Sequence, residues 1–126
     1  MSKYVIDSSV ILAILKNEPG AEAVQYLDEG IISAVNMAEV ITKLFQLGYP
    51  KNDMTNIFKL LPVSTVAFDK DSIFTSASIY EIAKKFGLSF GDRACLSLGI
   101  DKNLPVLTAD RVWIKLDLPV EVKLIR

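Results

Sequence analysis

The chain is predicted to fold as one α/β domain over residues 1–126, a three-layer α/β/α sandwich around a central, mainly parallel sheet of four to five strands. Three observations predict it. Short β-rich apolar runs alternate with stretches of helical period, a pattern that calls for parallel pairing through right-handed crossovers and a sheet covered on both faces. The 126 residues, 51% of them hydrophobic, suit one compact domain with a real core. No repeat, low-complexity tract or Pro/Gly/Ser linker divides them.

Tyr4-Val5-Ile6 is a short apolar run suited to a buried strand, and it ends abruptly at Asp7. Val10, Ile11, Ile14 and Leu15 then fall at helical spacing until Glu18-Pro19-Gly20 breaks the helix. A second helix is expected through Ala23, Val24 and Leu27 toward Gly30, and Ile31-Ile32-Ser33 is the second strand. Asn36 with Glu39 three residues on has the form of a capping box, and Met37, Val40, Ile41, Leu44 and Phe45 continue a helix that Gly48 closes. Lys51 to Leu61 is expected to be helical and Val63 to Phe68 a third strand. Asp69 starts a long helix through Ile73, Ala77, Tyr80 and Ala83, with Lys84, Lys85 and Gly87 as its stop. Gly91-Asp92 opens a helix through Ala94, Cys95 and Leu98 that Gly99 is expected to end. Pro105 to Thr108 is the fourth strand, Asp110 opens a short helix through Trp113, and Val120 to Ile125 is the fifth strand.

Composition narrows the chemistry. The chain has no histidine. That removes the Ser-His-Asp triad, histidine acid-base ribonuclease chemistry and His-ligated zinc. The one cysteine, Cys95, makes neither an internal disulfide nor a zinc site alone, and its expected role is that of a small buried apolar residue in a reducing cytosol. A net charge of -1 and a pI near 5.4 give no global basic footprint, so nucleic-acid binding would rest on local features. Met1-Ser2-Lys3 runs straight into a strand, and no apolar stretch approaches the roughly 20 residues of a membrane span. A soluble, cytoplasmic protein without membrane contact is expected.

Carboxylates are left to do the work, and four fall where ligands bind in such sheets, beyond the carboxyl ends of the strands. Asp7 follows strand one, Glu39 lies just after strand two, Asp92 starts a helix and Asp110 follows strand four. Taken singly, Glu39 can complete a capping box, and Asp92 and Asp110 can cap helices or favour their positive ends. Asp7 is harder to explain so, because it ends the run expected to be buried, where an unpaired carboxylate is costly. Four carboxylates in one cleft repel one another and raise some pKa values unless a cation neutralises them. All-oxygen ligands select hard ions, so Mg²⁺ or Mn²⁺ is the expected cofactor, held by Asp7, Glu39, Asp92 and Asp110. Such ions, singly or as a pair about 4 Å apart, support phosphodiester hydrolysis without a histidine.

Around them, Ser8, Ser9 and Thr108 can orient the carboxylates or their waters, or serve ordinary turns. Asn36 is either a plain N-cap or a polar group facing the cleft. Arg93 and Arg111 each follow a proposed ligand and either hold a substrate phosphate or pair with nearby acids.

The stretches Val5-Ile6-Asp7-Ser8-Ser9, Ile32 to Val40, Leu88 to Leu96 and Leu107-Thr108-Ala109-Asp110-Arg111 resemble those of PIN-domain proteins, and specifically the VapC toxins of prokaryotic toxin-antitoxin pairs. They span nearly the whole chain in the family's order, each with its acidic residue. The resemblance implies a Mg²⁺- or Mn²⁺-dependent endoribonuclease with RNA as substrate, a homodimer silenced by a VapB-like antitoxin. It maps the family's acids onto Asp7, Glu39, Asp92 and Asp110 and its hydroxyl positions onto Ser9 and Thr108, with none missing. The helices around Met37 to Phe45 and Lys51 to Leu61 can offer the antitoxin an apolar groove, although their periodicity by itself describes a core. The alternatives are a PIN nuclease that processes RNA without an antitoxin, cleavage of DNA, and a metal-free protein-binding module whose acids only cap helices. An aspartyl-phosphate phosphotransferase is disfavoured by Ser9, where the haloacid dehalogenase pattern wants a second acid.

Overall fold

The structure is a computed structural model that describes residues 1–126. Its centre is one sheet of five parallel strands, β1 (Tyr4–Ile6), β2 (Gly30–Ser33), β3 (Ser64–Val66), β4 (Val106–Thr108) and β5 (Val122–Leu124), in the order β3-β2-β1-β4-β5. The chain runs outward from β1 through β2 to β3, then returns across to β4 and β5. The order therefore reverses at β1, beside β4, and in open α/β sheets ligands bind beyond the carboxyl ends of the strands at such a switch point.

The alternation within the three inner strands sends side chains to two cores. Ile6, Ile32 and Leu107 face one side, where they pack with Val10, Ile11, Leu27, Met37, Val40, Leu44 and Met54. Val5, Ile31 and Val106 face the other, against Ile79, Cys95, Leu96, Leu98 and Trp113. A one-residue slip would exchange both sets, so burial on two faces fixes the register. The first layer comprises α1 (Ser8–Leu15), a 3₁₀ segment (Ala21–Glu29), α2 (Ala34–Gln46) and α3 (Lys51–Leu60). The second comprises α4 (Lys70–Ser78), α5 (Tyr80–Lys85), α6 (Phe90–Lys102) and a short 3₁₀ turn (Arg111–Lys115). The α/β/α sandwich stands as expected. No helix is long and apolar enough to cross a membrane.

Several local expectations are corrected. The residues expected to form a second helix before β2 are tightened into 3₁₀ form, with only Ala23 and Leu27 buried. The expected long helix from Asp69 to Ala83 breaks at Ile79. Arg93 Nη1 donates to the Ser76 carbonyl at 2.8 Å, and Ser78 Oγ to the Thr75 carbonyl at 2.7 Å, so side chains bond carbonyls that a continuous helix uses internally. Gly99 does not end α6, which continues to Lys102 and stops at Asn103 in a left-handed cap at φ 53°. Gly99 serves a close approach instead: a Cβ there would stand 2.5 Å from Val106 Cγ2 and 2.9 Å from Val120 Cγ2. The observed β3 and β5 occupy only the middles of the runs expected for them.

Candidate functional site

Asp7 is set at the switch point by β1, whose short buried run delivers it, only 4% exposed, to the carboxyl edge of the sheet. It occupies the N-cap position of α1, yet its side chain makes no capping bond. Its Oδ2 instead accepts from Ser9 Oγ at 2.6 Å and from Thr108 Oγ1 at 2.9 Å. Ser9 Oγ in turn accepts from the Ala109 amide at 3.0 Å, and Thr108 Oγ1 from the Asp110 amide at 3.1 Å. The two hydroxyls thus tie the end of β1 to the end of β4 and fix the Asp7 carboxylate. Burial pushes its pKa up to about 6, the bonds from Ser9 and Thr108 oppose that rise, and the charges of Asp92 and Glu39 add to it.

The other three acids share this edge. Glu39 lies on α2, whose N-cap is Ser33 accepting from the Val35 amide, so of the two roles open to Asn36 the cap is not the one formed. Asn36 lies inside the first turn of α2 and is wholly buried. Its Nδ2 donates to Glu39 Oε1 at 2.9 Å and to the Gly91 carbonyl at 2.9 Å. Ser8 Oγ also reaches Glu39 Oε1, at 3.3 Å. Asp92 sits three residues into α6 within a full capping box: Ser89 Oγ accepts from its amide at 3.2 Å, and its Oδ2 accepts from the Ser89 amide at 2.9 Å. Burial raises the pKa of Asp92, the Ser89 bonds counter the rise and the Asp110 charge adds to it. Asp110 caps the 3₁₀ turn through Oδ1, which accepts from the Val112 amide at 3.1 Å.

These bonds follow one pattern. Each carboxylate has one oxygen anchored, Asp7 Oδ2, Glu39 Oε1, Asp92 Oδ2 and Asp110 Oδ1, and no hydrogen bond reaches the second oxygen of any of them. The two salt bridges of the molecule, Lys3–Glu29 and Arg126–Glu18, involve none of the four. Capping therefore occurs at Asp92 and Asp110, but it uses only half of each group. The all-oxygen donor set and the repulsion felt at Asp7 fit a hard divalent cation. No three of the acids converge on one point within ligating distance, so the carboxylates stand apart at this edge and are not closed into a cage.

The two arginines belong elsewhere. Arg93 bonds the Ser76 carbonyl and lies over the rings of Tyr80 and Phe90, 5.4 and 5.5 Å from their centroids, pairing with backbone and aromatics and with no acid. Arg111 is exposed and donates to the backbone carbonyl of Arg126 at 2.8 Å. Cys95 is fully buried on α6, as expected, and burial raises its thiol pKa further. Sequence reasoning missed the parts that Ser89 and Gly91 play. The Ser-x-x-Asp spacing from Ser89 to Asp92 was the available signal for the cap.

Fold and edge together define a parallel α/β domain with neighbouring acids at its switch point. The PIN domain family model matches residues 4–118, and the chain belongs to that family. In the comparison with curated proteins, none matches. Among solved structures, the chain is similar to DNA-bound VapBC from Salmonella typhimurium, with a TM-score of 0.80 at 13% identity over 100% of both chains. It is similar to FitAcB from Neisseria gonorrhoeae, with a TM-score of 0.70 at 24% identity over 94% of this chain and 95% of that one. It is also similar to VapBC-5 of Mycobacterium tuberculosis, a member of the VapBC family of toxin-antitoxin systems, with a TM-score of 0.64 at 22% identity over 100% of this chain and 99% of that one.

Proposed function

We propose that this PIN domain is a metal-dependent endoribonuclease and the toxin of a VapBC-type toxin-antitoxin pair. The observation that carries the reading is the set of four carboxylates at one sheet edge, each with one oxygen anchored and the other without a donor. Asp7, Glu39, Asp92 and Asp110 would hold Mg²⁺ or Mn²⁺ there. When bound, such an ion supplies charge neutralisation at the phosphate and lowers the pKa of a water, which permits hydrolysis near neutral pH. Ser9 and Thr108 keep Asp7 oriented, and Asn36 does the same for Glu39. The N-terminus of α6 adds partial positive charge beside Asp92. With the acids unneutralised, their field repels the phosphates of a nucleic acid, so RNA binding and cleavage both depend on the cation.

The toxin role draws on the VapBC neighbours and on a groove between α2 and α3. Met37, Val40, Leu44 and Met54 are core, while Phe45 and Phe58 stay 48% and 49% exposed. With Ile41, Lys51, Met54 and Thr55 they line an open cleft of about 310 Å³. An amphipathic segment of a VapB-like antitoxin fits such a surface. A homodimer belongs to the same reading, with exposed Ile73 and Phe74 on α4 as an apolar face for a second copy, and so does a cytoplasmic location.

The test is incubation of purified protein with a structured RNA pool in Mg²⁺ or Mn²⁺, with EDTA and Asp7→Asn as controls, followed by mapping of the ends. Discrete cuts lost in both controls are expected, and an all-DNA version of a cut site should resist if the 2′-hydroxyl is read. Absence of cleavage by folded protein under every metal overturns the nuclease in favour of a binding module. For the partner, Phe45→Lys and Phe58→Lys should each weaken capture of the small protein encoded beside this chain by about 2 kcal/mol or more, with cleavage intact. If no antitoxin-like frame lies there, an RNA-processing nuclease replaces the toxin.

A further inference from the structure

Asn36 is a fully buried polar side chain at the acidic edge, and packing does not account for it. Both hydrogens of its amide are spent on acceptors, Glu39 Oε1 on its own helix and the carbonyl of Gly91 on α6. Those acceptors fix the amide orientation, since a flipped amide would set its oxygen against two others. The amide oxygen, Oδ1, is then left buried with no partner. An unpaired buried acceptor is destabilising, and an apolar residue of similar shape would avoid it.

Gly91 lies across from it, buried in the first turn of α6. A Cβ at this position would overlap the Glu39 carboxylate, pressing on Oε2 and standing 2.5 Å from Cδ and 2.7 Å from Oε1. The obstruction is the far end of a flexible side chain, so a methyl group at position 91 would displace the carboxylate and leave the backbone in place. Gly91 thus contributes both the carbonyl that anchors the Asn36 amide and the space that the Glu39 carboxylate fills.

We propose that Asn36 and Gly91 are a pair of positioning residues for Glu39, together clamping its carboxylate between the first turns of α2 and α6. The pair acts through Glu39 and touches neither ion nor RNA. It rests on the nuclease reading in that Glu39 is taken as a ligand. Removing either member leaves the fold and frees the carboxylate to rotate away from the edge.

The experiment is Mn²⁺ titration by calorimetry on the full chain, for wild type, Gly91→Ala, Asn36→Ala and each of these combined with Glu39→Gln. Thermal melts establish folding, and amide exchange of the Asn36 side chain is followed by NMR without metal. Gly91→Ala is expected to melt close to wild type and to bind Mn²⁺ about 10- to 100-fold more weakly, the range seen when a ligand-orienting partner is lost. On the Glu39→Gln background the same substitution should cause no further loss, and the wild-type Asn36 amide should exchange slowly. Unchanged Mn²⁺ affinity in folded Gly91→Ala, an undiminished loss on the Glu39→Gln background, or fast exchange at Asn36 overturns the positioning role alone. A wild type with a protected Asn36 amide that binds no Mn²⁺ overturns the nuclease reading, and the role with it.

Discussion

Two acidic regions of this molecule use the same residue type to opposite effect. Past the end of β3, where α4 begins beside the last turn of α6, Asp69, Asp71 and Asp101 surround a small hollow beside Lys102. Asp69 is exposed and caps α4, accepting from the Ser72 amide at 3.0 Å and from Ser72 Oγ at 3.1 Å. Those bonds, with help from the Lys102 charge, hold its carboxyl below the ordinary value. At the sheet edge, Asp7 also accepts two hydrogen bonds, yet burial outweighs them and drives its pKa up to about 6. An acid capping a helix in water stabilises the fold. An acid at the end of a buried strand, with other acids near and no basic partner, weakens it, which makes this edge the candidate functional site.

Exchanging the charged group in each region should separate the two roles most sharply. Asp7→Asn is expected to reduce metal-dependent RNA cleavage by about a hundred- to a thousandfold, the scale for losing one preorganised group. Asp69→Asn, assayed on the same RNA, should cut as wild type does. Equal losses in both variants would dissolve the distinction.

The next contrast is in stability against pH, measured in EDTA by denaturant unfolding. Because the folded-state pKa of Asp7 is raised from 3.8 to about 6, its favourable contribution is complete below about pH 4 and is lost as pH rises through 6. By neutral pH the loss amounts to about 3 kcal/mol. Asp7→Asn should flatten that fall and, without metal, should be more stable than wild type at pH 7.5. A wild-type curve level across this window would mean that Asp7 is better solvated than its burial implies.

The smallest effect has the reverse sign. The depressed pKa of Asp69 contributes stability above its unfolded value, lost as pH falls through its folded one. Asp69→Ala should lower the melting temperature slightly at neutral pH, with the gap closing in acid. A gap independent of pH would assign the effect to helix propensity in place of the cap.

Much of this was legible from residue order. Asp7 stood out because a polar residue ends an apolar run, and the structure buries it there. Ser9 and Thr108 were flagged by their places beside two acids, and they meet on Asp7. Local signals failed where a distant group competed with them. Asn36 was open to reading as a cap, but Ser33 takes that position and Gly91 claims the amide. Gly99 had the look of a helix stop, whereas Val106 and Val120 are what require a residue without a side chain. Arg93 follows a proposed ligand and was open to holding a phosphate or pairing with an acid, while the Ser76 carbonyl and two aromatic rings hold it.

The sequence by itself determined the alternation of strand and helix, the two-faced burial of β1, β2 and β4, and the placing of acids just past strand ends. Hydrophobic period and chain connectivity are local properties, and they suffice for that much. Only the tertiary structure decided the strand order that sets β1 beside β4, and with it the bond between Thr108 and Asp7, 101 residues apart. It also decided which oxygen of each acid is anchored, and that Asn36 reaches 55 residues along the chain to Gly91. Contacts over such separations depend on how the two helical layers close on the sheet, and no local pattern records that.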